Sequence, residues 1–164
     1  MSAYDRLWAP WRSAFLARRN TRRCIFCAAK RSKHDRRDHV VERGERVFAL
    51  LNRYPYNNGH LMIAPYRHVG RLESLRSAEW AEMLRMSQRL TKRLRRALHP
   101  QGFNIGLNLG RTAGAGIPGH LHLHMVPRWS GDTNFMPVLA NTKMISQSLE
   151  ELYALLTAPR RGEA

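Results

Sequence analysis

Cysteine is scarce: 164 residues hold only Cys24 and Cys27. Two cysteines do not build a secreted disulfide scaffold. No run of about 18 apolar residues exists, so no transmembrane helix is expected. Met1 to Arg12 lacks a continuous apolar core and a cleavage-like site, so the start does not read as a signal peptide. The simplest setting for such a chain is the cytoplasm, without a membrane partner. Acidic residues are also few, 12 Asp and Glu against 28 Lys and Arg, for a formal charge of +16. That balance favours anionic partners, from nucleotides to nucleic acid. Nothing resembles an aromatic-studded RNA-binding sheet or a helix-turn-helix. The charge therefore reads either as solvated faces of an arginine-rich composition or as a nucleic-acid surface, with a basic N-terminal third and a second concentration at Arg85 to Arg96.

What is present fits one domain with a real core: 43% of residues are hydrophobic. No repeat or second domain is visible. Residues 1–22 read as an N-terminal arm carrying Trp8, Trp11 and Phe15, and residues 23–164 as a single domain. Residues 28–39 are polar and charged and read as a mobile loop. Val47–Leu51 and His60–Ala64 are strand-like and are separated by a turn with Pro55 and Asn57-Asn58-Gly59, so they should pair. Trp80, Met83, Leu84, Leu90, Leu94 and Leu98 recur on one helical face. They predict a helix over 77–98, with Ser77 as N-cap and a stop at Pro100. Phe103–Leu109 alternates apolar residues with Asn104, Gly106 and Asn108, a strand pattern. A last helix is expected over 146–157. The fold class is α+β: an antiparallel sheet of about five strands, one long helix packed on it, and a C-terminal helix.

One stretch outweighs the rest. His120-Leu121-His122-Leu123-His124-Met125-Val126 alternates imidazoles with apolar residues. In an extended strand the three histidines share one face and the apolar residues share the other. Histidine can attack, donate or accept protons, or bind metal near neutral pH, and three on one face are hard to explain by packing. The preceding loop holds Gly110, Gly114, Gly116 and Gly119. Glycines let backbone amides approach a phosphate, although many such loops are only flexible. Cys24 and Cys27 form a CxxC pair, which alone could be two ordinary reduced thiols. His34, His39 and His99 lie in polar or helix-end segments and read as surface residues.

Gly119-His120-Leu121-His122-Leu123-His124-Met125-Val126-Pro127-Arg128 resembles the signature of the histidine triad superfamily of nucleotidyl hydrolases and transferases. Upstream, Phe48 to Pro55 and Gly59 to Pro65 resemble the family's paired strands. Leu7 to Arg12, Phe103 to Gly110 and Pro127 to Asp132 look like the bacterial branch similar to diadenosine tetraphosphate phosphorylases. The resemblance implies cleavage at the α-phosphate of a dinucleoside polyphosphate through a covalent nucleotidyl-histidine intermediate. It makes His122 the nucleophile. His124 would contact the phosphate and help protonate the leaving group, and His60 would support both from the neighbouring strand. Asn52 takes the position that bonds ribose hydroxyls. Asn108 and the loop amides near Ala115 and Gly116 would hold phosphate oxygens. Cys24, Cys27, His68 and His120 match the positions through which some members hold structural zinc, and no organic cofactor is implied. The family also implies a homodimer, with sheets joined edge to edge as one arrangement.

The chain departs from the pattern in the loop Gly114-Ala115-Gly116-Ile117-Pro118-Gly119, which lacks the Gln or Ser side chain of many triad proteins. It also lacks the Ser and the acidic residue found in phosphorylase-like relatives. Hydrolysis and phosphorolysis therefore both stay open. Two other readings stand beside them: an adenosine phosphoramidase of the same superfamily, and a basic nucleic-acid-binding module with an inactive triad.

Overall fold

The structure is a computed structural model that describes residues 24–132 and 145–159. The expected arm, residues 1–22 with Trp8, Trp11 and Phe15, lies outside the described residues.

The centre of the sheet is made by segments without polar alternation. β2 (Val47–Leu51) and β3 (Leu61–Pro65) are buried at every position. Such strands need cover on both faces, and the molecule provides it. β2 and β3 pair antiparallel with Phe48 opposite Ala64 and Leu51 opposite Leu61, across the expected turn. The full order is β1-β2-β3-β5-β4, with β1 at Val40–Arg43, β4 at Gly102–Leu107 and β5 at Leu123–Arg128. Every pairing is antiparallel. The α+β architecture therefore stands as expected. The fifth strand is β1, which sequence patterning did not single out.

Each sheet face has its own core. Met83, Met86, Leu90 and Leu94 of the long helix pack on Val47, Ala49, Leu51, Leu61, Ile63, Leu123 and Met125. On the opposite face, Phe26 and Ala29 cover Val40, Phe48, Leu50, Met62 and Ala64. Phe26 and Ala29 belong to α1 (Ile25–Arg31), which is followed by the single turn α2 (Asp35–Asp38). The stretch expected to be a mobile loop is thus helical over most of its length. It is held by the carboxylate of Asp35, which accepts from Arg43 Nε at 3.0 Å and Nη2 at 2.6 Å.

The long helix α3 spans Ser77–Leu98, the expected range, with Arg76 rather than Ser77 as N-cap. Arg76 N–H donates to Glu79 Oε2 at 2.9 Å. At the other end, His99 takes a left-handed conformation before Pro100. The C-terminal helix α4 (Leu149–Thr157) starts three residues later than expected, at a reciprocal Ser148–Glu151 cap. It docks Leu152 and Leu156 into the α3-side core. His39, expected on the surface, is buried beneath this helix, with Nε2 3.2 Å from Glu150 Oε1. No described helix is long and apolar enough to cross a membrane.

Candidate active site

β5 carries His124, and His122 stands immediately before it, both on the face where sequence alternation put them. Leu123 and Met125 point into the α3-side core, so His122 and His124 emerge on the other face, with ring centroids 4.7 Å apart. Phe26 packs against both His120 and His122, at 5.0 and 4.8 Å between centroids. Neither His120 nor His122 is in the strand, which begins only at Leu123. The segment before it is tied sideways, with Leu121 N–H donating to Val69 O at 2.7 Å. The three-histidine strand is therefore shorter than expected, and His120 is released toward another cluster.

Hydrogen bonds to backbone groups assign the protons. A carbonyl only accepts, so His122 must donate from Nδ1 to His120 O at 2.8 Å. Its Nε2 then carries a lone pair. His60 Nδ1 faces two donors, Tyr56 N–H at 3.0 Å and Asn52 Nδ2 at 3.3 Å, so it must accept. The His60 proton therefore sits on Nε2, which donates to His124 Nδ1 at 2.9 Å. That in turn leaves the His124 proton on Nε2, a buried donor with no partner among the described residues. The pair formed is a bare imidazole nitrogen beside an unsatisfied imidazole N–H, the former able to attack and the latter to hold an oxygen.

Burial keeps these rings neutral. Desolvation, with repulsion from His124 and His122, lowers His60 to about 3. Desolvation and His122 lower His124 to about 4. His122 is lowered by burial, partly offset by its bond to His120 O.

A second cluster adjoins the first. His120 donates from Nε2 to Pro65 O at 2.8 Å, which leaves Nδ1 free to ligate. That nitrogen lies 3.3 Å from Cys24 Sγ, 3.7 Å from Cys27 Sγ and 3.2 Å from His68 Nδ1, and Cys27 Sγ lies 3.3 Å from His68 Nδ1. All four ligand atoms fall within 4.8 Å of one another. Tetrahedral zinc with its usual bond lengths separates ligand atoms by about 3.3–3.8 Å. The four expected residues thus fit a tetrahedral metal in both donor set and spacing. Burial raises the Cys24 thiol, so a cation there would favour the thiolate form.

The remaining expected residues are placed less uniformly. Asn52 follows β2 beside His60, with Oδ1 accepting Tyr54 N–H at 2.9 Å. Asn108 is half-buried just past the end of β4. Ala115 is buried, and its N–H closes a turn on Gly110 O at 3.1 Å. At Gly116 a Cβ would meet nothing within 4 Å, so the loop leaves room there. Three contributors were missed: Phe26, the Tyr56 amide and the Pro65 carbonyl. Phe26 sits inside the CxxC pair, and that position was its only signal. Backbone groups give none.

Comparison with known proteins settles the family. The HIT domain matches residues 33–131. The chain belongs to the HIT family. An AP-4-A phosphorylase of Mycobacterium tuberculosis is 42% identical over 160 aligned residues, covering 93% of this chain and 82% of that protein. A bis(5'-adenosyl)-triphosphatase of Dictyostelium discoideum is 30% identical over 84 residues, 51% of this chain and 56% of that one. Among solved HIT structures, a zinc-bound histidine triad family protein of Mycobacterium smegmatis superposes with TM-score 0.64 at 28% identity. It covers 82% of this chain and 90% of that one.

Proposed function

We propose that this HIT enzyme cleaves a dinucleoside polyphosphate of the diadenosine tetraphosphate kind at its α-phosphate. The observation that carries the reading is the His122 tautomer, with Nδ1–H held by His120 O at 2.8 Å and Nε2 bare. Nε2 attacks the α-phosphorus, and the phosphorus–oxygen bond to the rest of the polyphosphate breaks. The bond electrons leave on that oxygen, and the nucleotide stays on Nε2. Water or inorganic phosphate then takes the nucleotide from the histidine. His124 is neutral at neutral pH, so its Nε2–H serves the leaving oxygen as a hydrogen-bond donor rather than as an imidazolium acid. His60 keeps that proton on Nε2 by filling His124 Nδ1.

Asn52 lies where it can meet ribose hydroxyls. Asn108 and the open loop at Gly116 supply the phosphate side. The relatives named above support an adenine dinucleotide as substrate. Cys24, Cys27, His68 and His120 would hold zinc, which supplies a rigid anchor for the chain rather than a reacting group. Because these residues run from Cys24 to His120, just before β5, they support residues 23–164 as one domain. Two thiols kept as ligands fit a reducing cytoplasm. The open β4 edge, with Ile105 48% exposed, supports a two-fold dimer.

The test is turnover of diadenosine tetraphosphate with labelled inorganic phosphate. Label in ADP shows phosphorolysis; unlabelled products show hydrolysis. Cleavage confined to an adenosine phosphoramidate would replace this reading by the phosphoramidase. His122→Ala should remove turnover and the covalent adduct while the protein still melts cooperatively. Normal turnover in that variant refutes the mechanism.

A further inference from the structure

The outer face of α3 carries charge that the active site does not use. From Leu84 to Leu98 the exposed residues are Leu84, Arg85, Gln88, Arg89, Lys92, Arg95 and Arg96. Five of these seven are cations and none is an acid. A helix face built only for solubility usually mixes the signs, with acids three or four residues from bases. Here the helix has two acids, and both point inward. Glu79 is 3% exposed and accepts from Arg67 at 2.7 Å through each oxygen. Glu82 is 8% exposed and accepts the N–H groups of Glu45 and Arg46 at 2.7 and 3.0 Å. Among the described residues, Glu42 of β1 is the one outside carboxylate that reaches the stripe. It is shared between Arg89 at 2.7 Å and half-buried Arg93 at 3.1 Å. Arg85, Lys92, Arg95 and Arg96 pair with no acid among the described residues. Arg95 turns toward Phe103, 5.5 Å from its ring centroid.

At about 100° per residue, Arg85, Arg89, Lys92 and Arg96 fall within an arc of about 60°, and they extend about 16 Å along the axis. This stripe lies on the far side of the sheet from His122. α3 covers one sheet face, whereas the histidines stand with Phe26 on the other. A dinucleotide held at His122 would therefore lie on the opposite face of the sheet from the stripe.

We propose that the outer face of α3 docks the phosphate backbone of a nucleic acid. Three of the four stripe cations are arginines, whose planar guanidinium suits phosphate oxygens. A length of about 16 Å matches about five phosphates along one strand of a duplex. No aromatic side chain stands in the stripe to stack a base, so binding is to the backbone and independent of sequence. The surface acts in addition to the active histidines and does not depend on their chemistry.

The experiment measures affinity of the full chain for a mixed-sequence 20-base-pair DNA duplex between 50 and 200 mM salt. Four phosphate contacts give a log–log slope of about −3.6, a loss on the order of 100-fold across that range. The triple variant R85E/K92E/R96E should lower affinity at least tenfold and flatten the slope by about 2.7 units. Its melting temperature and nucleotide turnover should stay at wild-type values, which separates loss of docking from loss of fold. The triple variant K30E/R31E/K33E carries the same charge change outside the α3 stripe and should keep most of the binding. Equal losses in the two triple variants would mean that only net charge matters, and would overturn the proposal. Polyglutamate binding as tight as the duplex at equal salt would not support it either, since duplex binding must exceed it.

Discussion

Lowering the pH should destabilise this protein through His60 and His124, and the structure sets the size. Both rings are buried and linked by the 2.9 Å bond from His60 Nε2 to His124 Nδ1. A proton added at His60 Nδ1 would face the Tyr56 N–H already pointing at it from 3.0 Å. A proton added at His124 Nδ1 would face the His60 N–H. The folded values accordingly fall to about 3 for His60 and about 4 for His124, against 6.5 for an ordinary histidine. In the unfolded chain both rings take up protons below 6.5; in the folded chain they do not. The stability is present above 6.5 and is lost as the pH falls toward 4. Between pH 7.5 and 5.0 each ring accounts for about 2 kcal/mol, or about 4 kcal/mol together. That is a large share of a typical stability of about 5–15 kcal/mol. The assay is denaturant unfolding at both pH values for wild type and for the double variant His60→Gln/His124→Asn. The wild type should lose about 4 kcal/mol more than the variant. Losses from other groups, including acid release of any bound metal, are common to both proteins and cancel. Equal acid losses in the two would refute the claim that these two rings are held neutral.

Gly59 takes φ +73, and a Cβ there would lie 2.7 Å from Leu98 Cδ1. Gly59→Ala should therefore cost about 2–4 kcal/mol, from left-handed strain plus overpacking against α3. An unchanged unfolding midpoint would show that the turn before His60 relaxes freely. Elemental analysis of protein purified without added metal should find about one zinc per chain in wild type and far less in Cys24→Ala. Chelation should lower the wild-type melting temperature. A ratio near zero in wild type would end the zinc reading.

The elements that could be read from sequence carry their pattern within themselves. The runs at Val47–Leu51 and Leu61–Pro65 and the spacing from Trp80 to Leu98 needed no distant partner. What escaped depends on distant residues. β1 has only Val40 and Val41 before Glu42 and Arg43, too short a pattern to stand out, and it is a strand because β2 pairs with it. Residues 28–39 looked like loop because they are charged, but Arg43 fastens Asp35 and Ala29 from the next strand. His39 looked like surface because its cover, Glu150 and Tyr153, lies more than 100 residues away. The Cys24–His120 cluster could be named from resemblance, but its ligand spacing could not. It required Leu121 to turn aside onto Val69 before the strand begins.

The histidine positions were visible in the sequence; their protonation was not, and the reason bears on mechanism. No carboxylate among the described residues bonds to His60, His120, His122 or His124. Their tautomers are set instead by peptide groups: Tyr56 N–H at His60, Pro65 O at His120 and His120 O at His122. A carboxylate partner would draw a second proton onto a ring and raise its pKa, and it would itself titrate. A peptide group does neither. It fixes which nitrogen carries the single proton and leaves desolvation to keep the ring neutral. Burial disfavours the imidazolium form of both rings, which favours the lone pair on His122 Nε2 and the N–H on His124 Nε2 together near neutral pH. His120 connects the two clusters, because its ring faces Cys24 and Cys27 while its carbonyl orients His122. A disturbance of the cysteine cluster would reach His122 through one residue's backbone.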